Sequence, residues 1–289
     1  MVFLYKGFNL ILKDSDITNF NNTDHVYTSQ DKRTEMMDIR ENMKENALNK
    51  IENFLNKDGS IDATALINEW FPTIKADVFI SHSHKDEELA IKFAAWLKNA
   101  FNLNSFIDST VWGYADDLLK EIDMNHCYNS GSNSYDYNKR NFSTSHVHLM
   151  LSSALNTMID NTECLFFLNT PNSINIDDTI SQKTFSPWIF SEIMTSSIVR
   201  KHNPRKIVIK NNDGYFQKTE ERSLPTIAYD AQLGHLHRLE LTDLKNWSDK
   251  YNTTKRIDKM VDNMVGRTIV HPLDMLYFDS QGLGTLYGR

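Results

Sequence analysis

From residue 76 onward, short apolar runs alternate with amphipathic stretches, and this alternation restricts the chain to one class of fold. ADVFISHS (76–83) and ECLFFLNT (163–170) are apolar along most of their length rather than on alternate residues. Runs of that length, rich in β-branched and aromatic residues, suit strands buried on both faces, as in a parallel sheet covered by helices. KDEELAIKFAAWLKNAF (85–101) reads as an amphipathic helix, with Asp86, Glu87 and Glu88 in its first turn, where the helix dipole favours acids. NSFIDST (104–110) predicts a second strand, and VWGYADDLLKEID (111–123) a turn followed by a helix. HVHLMLSSALNTMIDN (146–161) and SPWIFSEIMTSSIV (186–199) read as helices, and RKIVIK (205–210) and HRLEL (237–241) as the fourth and fifth strands. Strands alternating with helices imply βαβ units, and so an α/β fold with a flavodoxin-like, parallel five-stranded sheet flanked by helices. Such sheets bind ligands beyond the carboxyl ends of their strands. That directs attention to the segments after Ile80, Asp108 and Asn169.

The spacing divides the chain in three. Residues 1–74 read as a mostly helical extension, with one short strand between Phe3 and Leu12. A helix over 31–56 is expected from Met36, Met37, Ile39, Met43, Leu48, Ile51, Phe54 and Leu55, with Asp31 capping its start. LNKDGS stops it, and Ser60 or Asp62 can cap a second helix running through Trp70 and Phe71. NKDGSID is no calcium loop: with Gly59 as the sixth position, Ala65 stands where a bidentate Glu is required. Residues 75–242 form the α/β domain, with a polar stretch at about 125–145 read as an inserted loop. Residues 243–289 read as a polar helix followed by an irregular tail.

Composition excludes several functions. There are ten glycines, and none forms a GxxxxGK[ST] or a strand-to-helix GxGxxG, so no glycine-rich turn grips a pyrophosphate. Cys127 and Cys164 form neither a CxxC site nor a disulfide framework and read as thiols of a reducing cytoplasm. The N-terminal apolar stretch is interrupted by Lys6 and Gly7, against a signal peptide. No run approaches the length of a membrane-spanning helix. A net charge of −7 argues against a nucleic-acid partner.

Two motifs carry possible chemistry. SHSHKDE contains HxHxD (His82, His84, Asp86), similar to the opening ligand motif of metallo-β-lactamase-type hydrolases. In that family a further His follows directly, whereas here Glu87 follows, and the upstream region reads as helical. The alternative reading of 82–86 is a strand-to-helix turn with an acidic helix start, and no metal is expected. The second motif is SPWIFSE. Ser186 can be an N-cap and Pro187 suits the first helical position. Trp188 and Glu192 are then i and i+4 on one face, while Ile189, Phe190, Ile193 and Met194 supply the core-facing stripe. A carboxylate beside a large aromatic at the end of a parallel sheet can act as acid, base or electrostatic stabiliser; it can equally be a surface Glu beside a half-buried Trp.

In order along the chain, DVFIS (Asp77 to Ser81), FID (Phe106 to Asp108) and SPWIFSE (Ser186, Trp188, Glu192) resemble the motifs of the Toll/interleukin-1 receptor (TIR) domain family. The resemblance covers about residues 75–242. His82 stands where the family often has Tyr, and Ile189 where its SxWCxxE motif has Cys. Some TIR domains are self-associating scaffolds; others cleave the nicotinamide–ribose bond of NAD. The resemblance to the second, bacterial type implies an NAD glycohydrolase or ADP-ribosyl cyclase with Glu192 as its catalytic residue. It further implies substrate contacts from Ser81, His82, Ser83 and His84 after the first strand, and from Ser186 and Trp188. Asp108, Trp112 and Gly113 would correspond to the family's gating loop. NAD is then a substrate and no cofactor is needed. The implied partners are NAD, further copies of the chain, and an effector reached by a diffusible nucleotide in antiviral signalling. A non-catalytic TIR adaptor is the competing reading, and the metal hydrolase a third.

Overall fold

The apolar runs assemble into a five-stranded, all-parallel sheet in the computed structural model. The structure describes residues 6–13, 16, 20, 27–47, 51–58, 60–174, 182–199, 229–261 and 270–280. In chain order the sheet strands are β1 (Lys6–Ile11), β2 (Val78–Ser81), β3 (Ser105–Ile107), β4 (Cys164–Asn169) and β5 (His237–Leu239). In space they run β3-β2-β4-β1-β5. Every residue of β2, β3 and β4 is buried. Alternate residues of β4 feed two separate cores. Leu165 and Phe167 join Phe79 and Phe106 on one face, while Cys164, Phe166 and Leu168 join Val78, Ile80 and Ile107 on the other. Two buried faces explain why these strands are apolar throughout rather than at every second residue.

The α/β class and the parallel five-stranded sheet agree with the sequence pattern, but one member differs. The order β3-β2-β4 is that of a flavodoxin-like sheet. The next position is occupied by β1, from the N-terminal segment, which pairs with β4 from Lys6↔Cys164 to Ile11↔Asn169 and with β5 on its other side. The strand expected at 205–210 lies outside the described residues. Residues 1–74 are therefore not an appendage to the sheet: Phe8 and Leu10 are fully buried, and Phe8 stacks on Phe166 at 5.0 Å. Gly7 permits the fit. A Cβ there would lie 2.2 Å from Leu236 Cδ2, so Leu236 closes directly over the strand. Gly7→Ala should cost about 1–3 kcal/mol by overpacking. Urea unfolding checks this, with a lowered midpoint and an unchanged m-value.

Helices cover both faces. On the first lie α2 (Ala63–Trp70), α4 (Ser109–Ile122), α5 (Tyr137–Asn161) and α6 (Pro187–Ile198). The second is covered by α3 (Glu87–Phe101), α7 (Leu241–Val261) and α8 (Pro272–Ser280). The C-terminal helices are part of this core: Trp247 stacks on Phe101 at 3.7 Å, and Tyr277 lies against Phe8. α1 (Ser29–Ala47) crosses the sheet edge beside β3, where buried Lys32 donates to the Ser105 carbonyl at 2.7 Å. Its cap is Thr28 rather than Asp31. The Thr28 hydroxyl accepts from the Asp31 amide, and the Asp31 carboxylate accepts from the Thr28 amide, a reciprocal capping box. Of the helix expected over 31–56, the residues to Ala47 belong to α1 and Ile51–Phe54 form a 3₁₀ turn, while 48–50 lie outside the described residues. Asp62 caps α2 as expected.

The polar stretch 125–145 is not a loop throughout. A π-helical turn (Asp123–Cys127) leads into a small antiparallel hairpin, Tyr128–Asn129 with Ser134–Tyr135, and α5 then starts at Tyr137. Asp136 caps α5 by accepting from the Lys139 amide. The first turns of α5 are polar because they stand mostly in solvent, so composition there signals exposure and not the absence of a helix.

Candidate active site

Four of the residues singled out from sequence meet beyond the carboxyl ends of β2 and β3: Ser81, His82, Asp108 and Glu192. Ser81 ends β2, His82 follows it, and Asp108 follows β3. Glu192 reaches them from α6. The start of that helix is set locally: Ser186 accepts from the Ile189 amide, and Pro187 takes the first helical position. This phase puts Ile189, Glu192, Ile193 and Ser196 on the buried face. Glu192 thus belongs to the packing face of α6, contrary to the expected division between a Trp–Glu line and an apolar stripe. Ile189 and Ile193 do supply core contacts, while Phe190 and Met194 are only half-buried.

Burial of the cluster is nearly complete, with Glu192 1% exposed and Asp108 0%. Ser81 Oγ donates to Glu192 Oε2 at 2.5 Å. His82 Nδ1 lies 2.7 Å from Asp108 Oδ1, which also accepts from the Ser109 amide. Glu192 and Asp108 are near enough for each to shift the other's protonation. Glu192 Oε1 and Asp108 Oδ2 are buried without a hydrogen-bond partner.

Two carboxyls in one dry site cannot both ionise cheaply. Burial raises Glu192 well above the usual carboxylate range; the nearby Asp108 raises it further, against Ser81 and His82. Burial likewise pushes Asp108 up to about 8, against the lowering effects of Glu192 and the Ser109 amide. Burial lowers His82 despite the nearby charges of Glu192, Glu87 and Asp86, which favours the neutral imidazole. Burial thus disfavours charge on all three titratable groups of the cluster, beside the Ser81 hydroxyl.

The remaining candidates lie around it. Trp188 is half-buried, edge-on to His148 of α5 at 5.7 Å. Ser186 is occupied as the helix cap. Ser83 precedes a 3₁₀ turn (His84–Asp86), in which His84 is exposed. Asp86 turns inward instead, accepting from Thr170 Oγ1 at 2.5 Å and Asn172 Nδ2 at 2.7 Å. HxHxD thus splits three ways, because the strand end and the helical turn send its members in different directions. Among the described residues no three His, Cys, Asp or Glu side chains are grouped to hold a metal ion. Trp112 and Gly113 lie within α4 rather than in a turn, since Asp108 caps that helix from Ser109.

Sequence reasoning missed two supports. Thr170 and Asn172 tie the end of β4 to the start of α3 through Asp86; the polar TPNS after an apolar strand was the available signal. Arg40 of α1 donates to the Ser109 and Thr110 carbonyls, at 2.6 and 3.1 Å, and so anchors the first turn of α4 beside Asp108. No local pattern marks Arg40, since its partners lie about seventy residues away.

Fold and site together define an α/β protein with a buried carboxyl pair at the carboxyl end of a parallel sheet. Comparison with known proteins returned no match, whether to a family model, a curated protein or a solved structure. Among the described residues, no helix is long and apolar enough to cross a membrane.

Proposed function

We propose that this chain is a TIR-type NAD glycohydrolase or cyclase in which Glu192 is the catalytic carboxylate. The observation that supports it most is the position of Glu192 within SPWIFSE: at the carboxyl end of the sheet, hydrogen-bonded to Ser81 of the DVFIS strand and within electrostatic reach of Asp108 of FID. The three motifs of the TIR resemblance thus share one point in space. The chemistry suits one carboxylate. Nicotinamide leaves NAD as a neutral base from a cationic ring, so no strong general acid is required. The ribosyl centre becomes oxocarbenium-like, and an anion beside it stabilises the developing charge. Water as acceptor gives ADP-ribose; an internal nucleophile gives a cyclic isomer. Trp188, one turn before Glu192 on α6, would wall the sugar or the nicotinamide. Because Glu192 is buried in this conformation, turnover requires the site to open, which fits an enzyme activated by assembly of several copies. Its product would then act as a cytoplasmic signal to a separate effector in bacterial antiviral defence.

That same burial is the specific observation favouring the second reading, a non-catalytic TIR-type self-association module. NAD turnover separates the two. The purified protein is incubated with NAD as monomer and as concentrated or crosslinked oligomer, with Glu192→Ala and chelator controls, and products are resolved by chromatography. Nicotinamide release that is lost in Glu192→Ala and insensitive to chelator is the expected result. No release in any oligomeric form overturns the enzymatic reading, and chelator-sensitive hydrolysis moves the chemistry to His82, His84 and Asp86.

A further inference from the structure

We propose that Arg40 is a latch: with Lys32 and Arg33 it fastens α1 over the corner between β3 and α4, and its release lets the buried cluster open. The inference names the regulation of the proposed site, and its functional consequence rests on the reading of Glu192 as the catalytic carboxylate.

The members of the cluster are not equally held. Ser81 ends β2 and His82 follows it, and β2 is paired on both sides, with β3 and with β4. Glu192 sits on the face of α6 that also buries Ile189 and Ile193. Asp108, by contrast, follows an edge strand: β3 has three residues and stands at the end of the sheet, beside β2. A short edge element opens at lower cost than a strand paired on both sides. α1 closes this corner from outside. Lys32 Nζ donates to the Ser105 carbonyl at 2.7 Å, at the start of β3. Further along the same helix, Arg40 Nη2 and Nε donate to the Ser109 and Thr110 carbonyls at 2.6 and 3.1 Å, just past Asp108. The two cations therefore bracket the segment that carries Asp108. Glu87 of α3 completes the latch: its Oε1 accepts from Ser109 Oγ at 2.9 Å and lies 3.8 Å from Arg40 Nη2. Arg33 pairs with the adjacent Glu88.

The fastening is polar, and this makes it releasable. Among the described side chains of α1, Met36 is the buried apolar one, and Ile39 is half-buried. The Arg40 and Glu87 side chains are 38% and 36% exposed, so water and salt reach both. Half-exposed ion pairs and hydrogen bonds contribute little net stability, because water replaces each partner when they part. α1 can thus lift from the corner without breaking the cores on either face of the sheet. Once Arg40 lets go, the first turn of α4 is held by Glu87 alone among these groups, and Asp108 and the cluster behind it become accessible.

Hydrogen exchange of the full chain, read by mass spectrometry, tests the latch without any turnover. Arg40→Ala should speed exchange in peptides covering 105–114 at least about tenfold while leaving β4 unchanged. Arg40→Lys keeps the charge but not the forked pair of donors, and should give an intermediate rate. Unchanged exchange at 105–114 in Arg40→Ala overturns the latch. Equal acceleration in β4 for both variants also overturns it, since that marks general destabilisation. In the NAD assay, monomeric Arg40→Ala should release nicotinamide at least about tenfold faster than monomeric wild type, and the gain should vanish when Glu192→Ala is added. Local opening without that gain, in a protein whose oligomer cleaves NAD, overturns the regulatory role. Local opening with no NAD cleavage in any form removes the enzymatic reading and leaves the latch.

Discussion

A chain lacking residues 1–12 is expected to yield no cooperatively folded protein. The reason is the place of β1. It lies between β4 and β5, paired along six residues with one and three with the other. Removing it exposes the hydrogen-bonding edge of β4, whose six residues are all buried. It also removes Phe8, Leu10 and Leu12 from the core. At about 1.5–3 kcal/mol for each buried apolar side chain, these three alone contribute roughly 5–9 kcal/mol. That is comparable to the whole stability of a typical domain, about 5–15 kcal/mol. The truncated chain should be recovered insoluble, or bind a hydrophobic dye and melt without a transition. A sharp urea transition from soluble truncated protein would show instead that the sheet closes without its N-terminal strand.

Glu192→Gln is expected to separate function from stability. Under the proposed NAD-cleaving activity, the loss of the anion should lower turnover by about 10²–10³, the usual scale for one electrostatic stabiliser of a transition state. Stability should move in the other direction at alkaline pH. Both carboxyls of the pair are raised in the folded protein, Asp108 to about 8 and Glu192 well above its ordinary range. The unfolded chain releases these protons near pH 4. The folded state therefore holds more protons between the two limits, and stability falls as pH rises there. Each contribution is complete below about pH 4; that of Asp108 is lost as pH climbs through about 8, and that of Glu192 as pH passes its own raised value. The glutamine introduced by Glu192→Gln presents a carbonyl to Ser81 but has no proton to release. Urea midpoints measured from pH 5 to pH 9 should accordingly fall more steeply in the wild type than in the variant, with the curves crossing or converging on the acid side. Parallel curves would exclude a titrating pair.

Much of the frame is legible in the residues. The runs at 76–83 and 163–170 contain β2 and β4, and the amphipathic 85–101 contains α3. Ser186 and Pro187 announce the start of α6 to the residue, because a cap and a preset φ act within one turn. The failures have a common cause. KGFNLI reads as a minor strand of an extension, since its apolar residues number few and Gly7 and Asn9 dilute them; nothing local says that β4 will accept it. NKRNFSTS reads as a loop because helix phase is invisible where a helix presents no apolar stripe. HxHxD resembles a ligand set because spacing does not reveal that a strand end and a 3₁₀ turn aim alternate residues apart.

Residue pattern alone carries the α/β class and the parallel character of the sheet, and it singles out the carboxyl-end segments and Glu192 as candidates. These follow from burial patterns and caps, which are local and repeat within a few residues. Only the tertiary structure decided which strand stands beside β4, which face of α6 is buried, and that Ser81 and Glu192, separated by 111 residues, share a hydrogen bond. It also buries Glu192, which raises its pKa. A carboxyl's charge depends on how completely water is excluded and on which charges stand against it, and here Ser81, His82 and Asp108 are brought to it by two other strands.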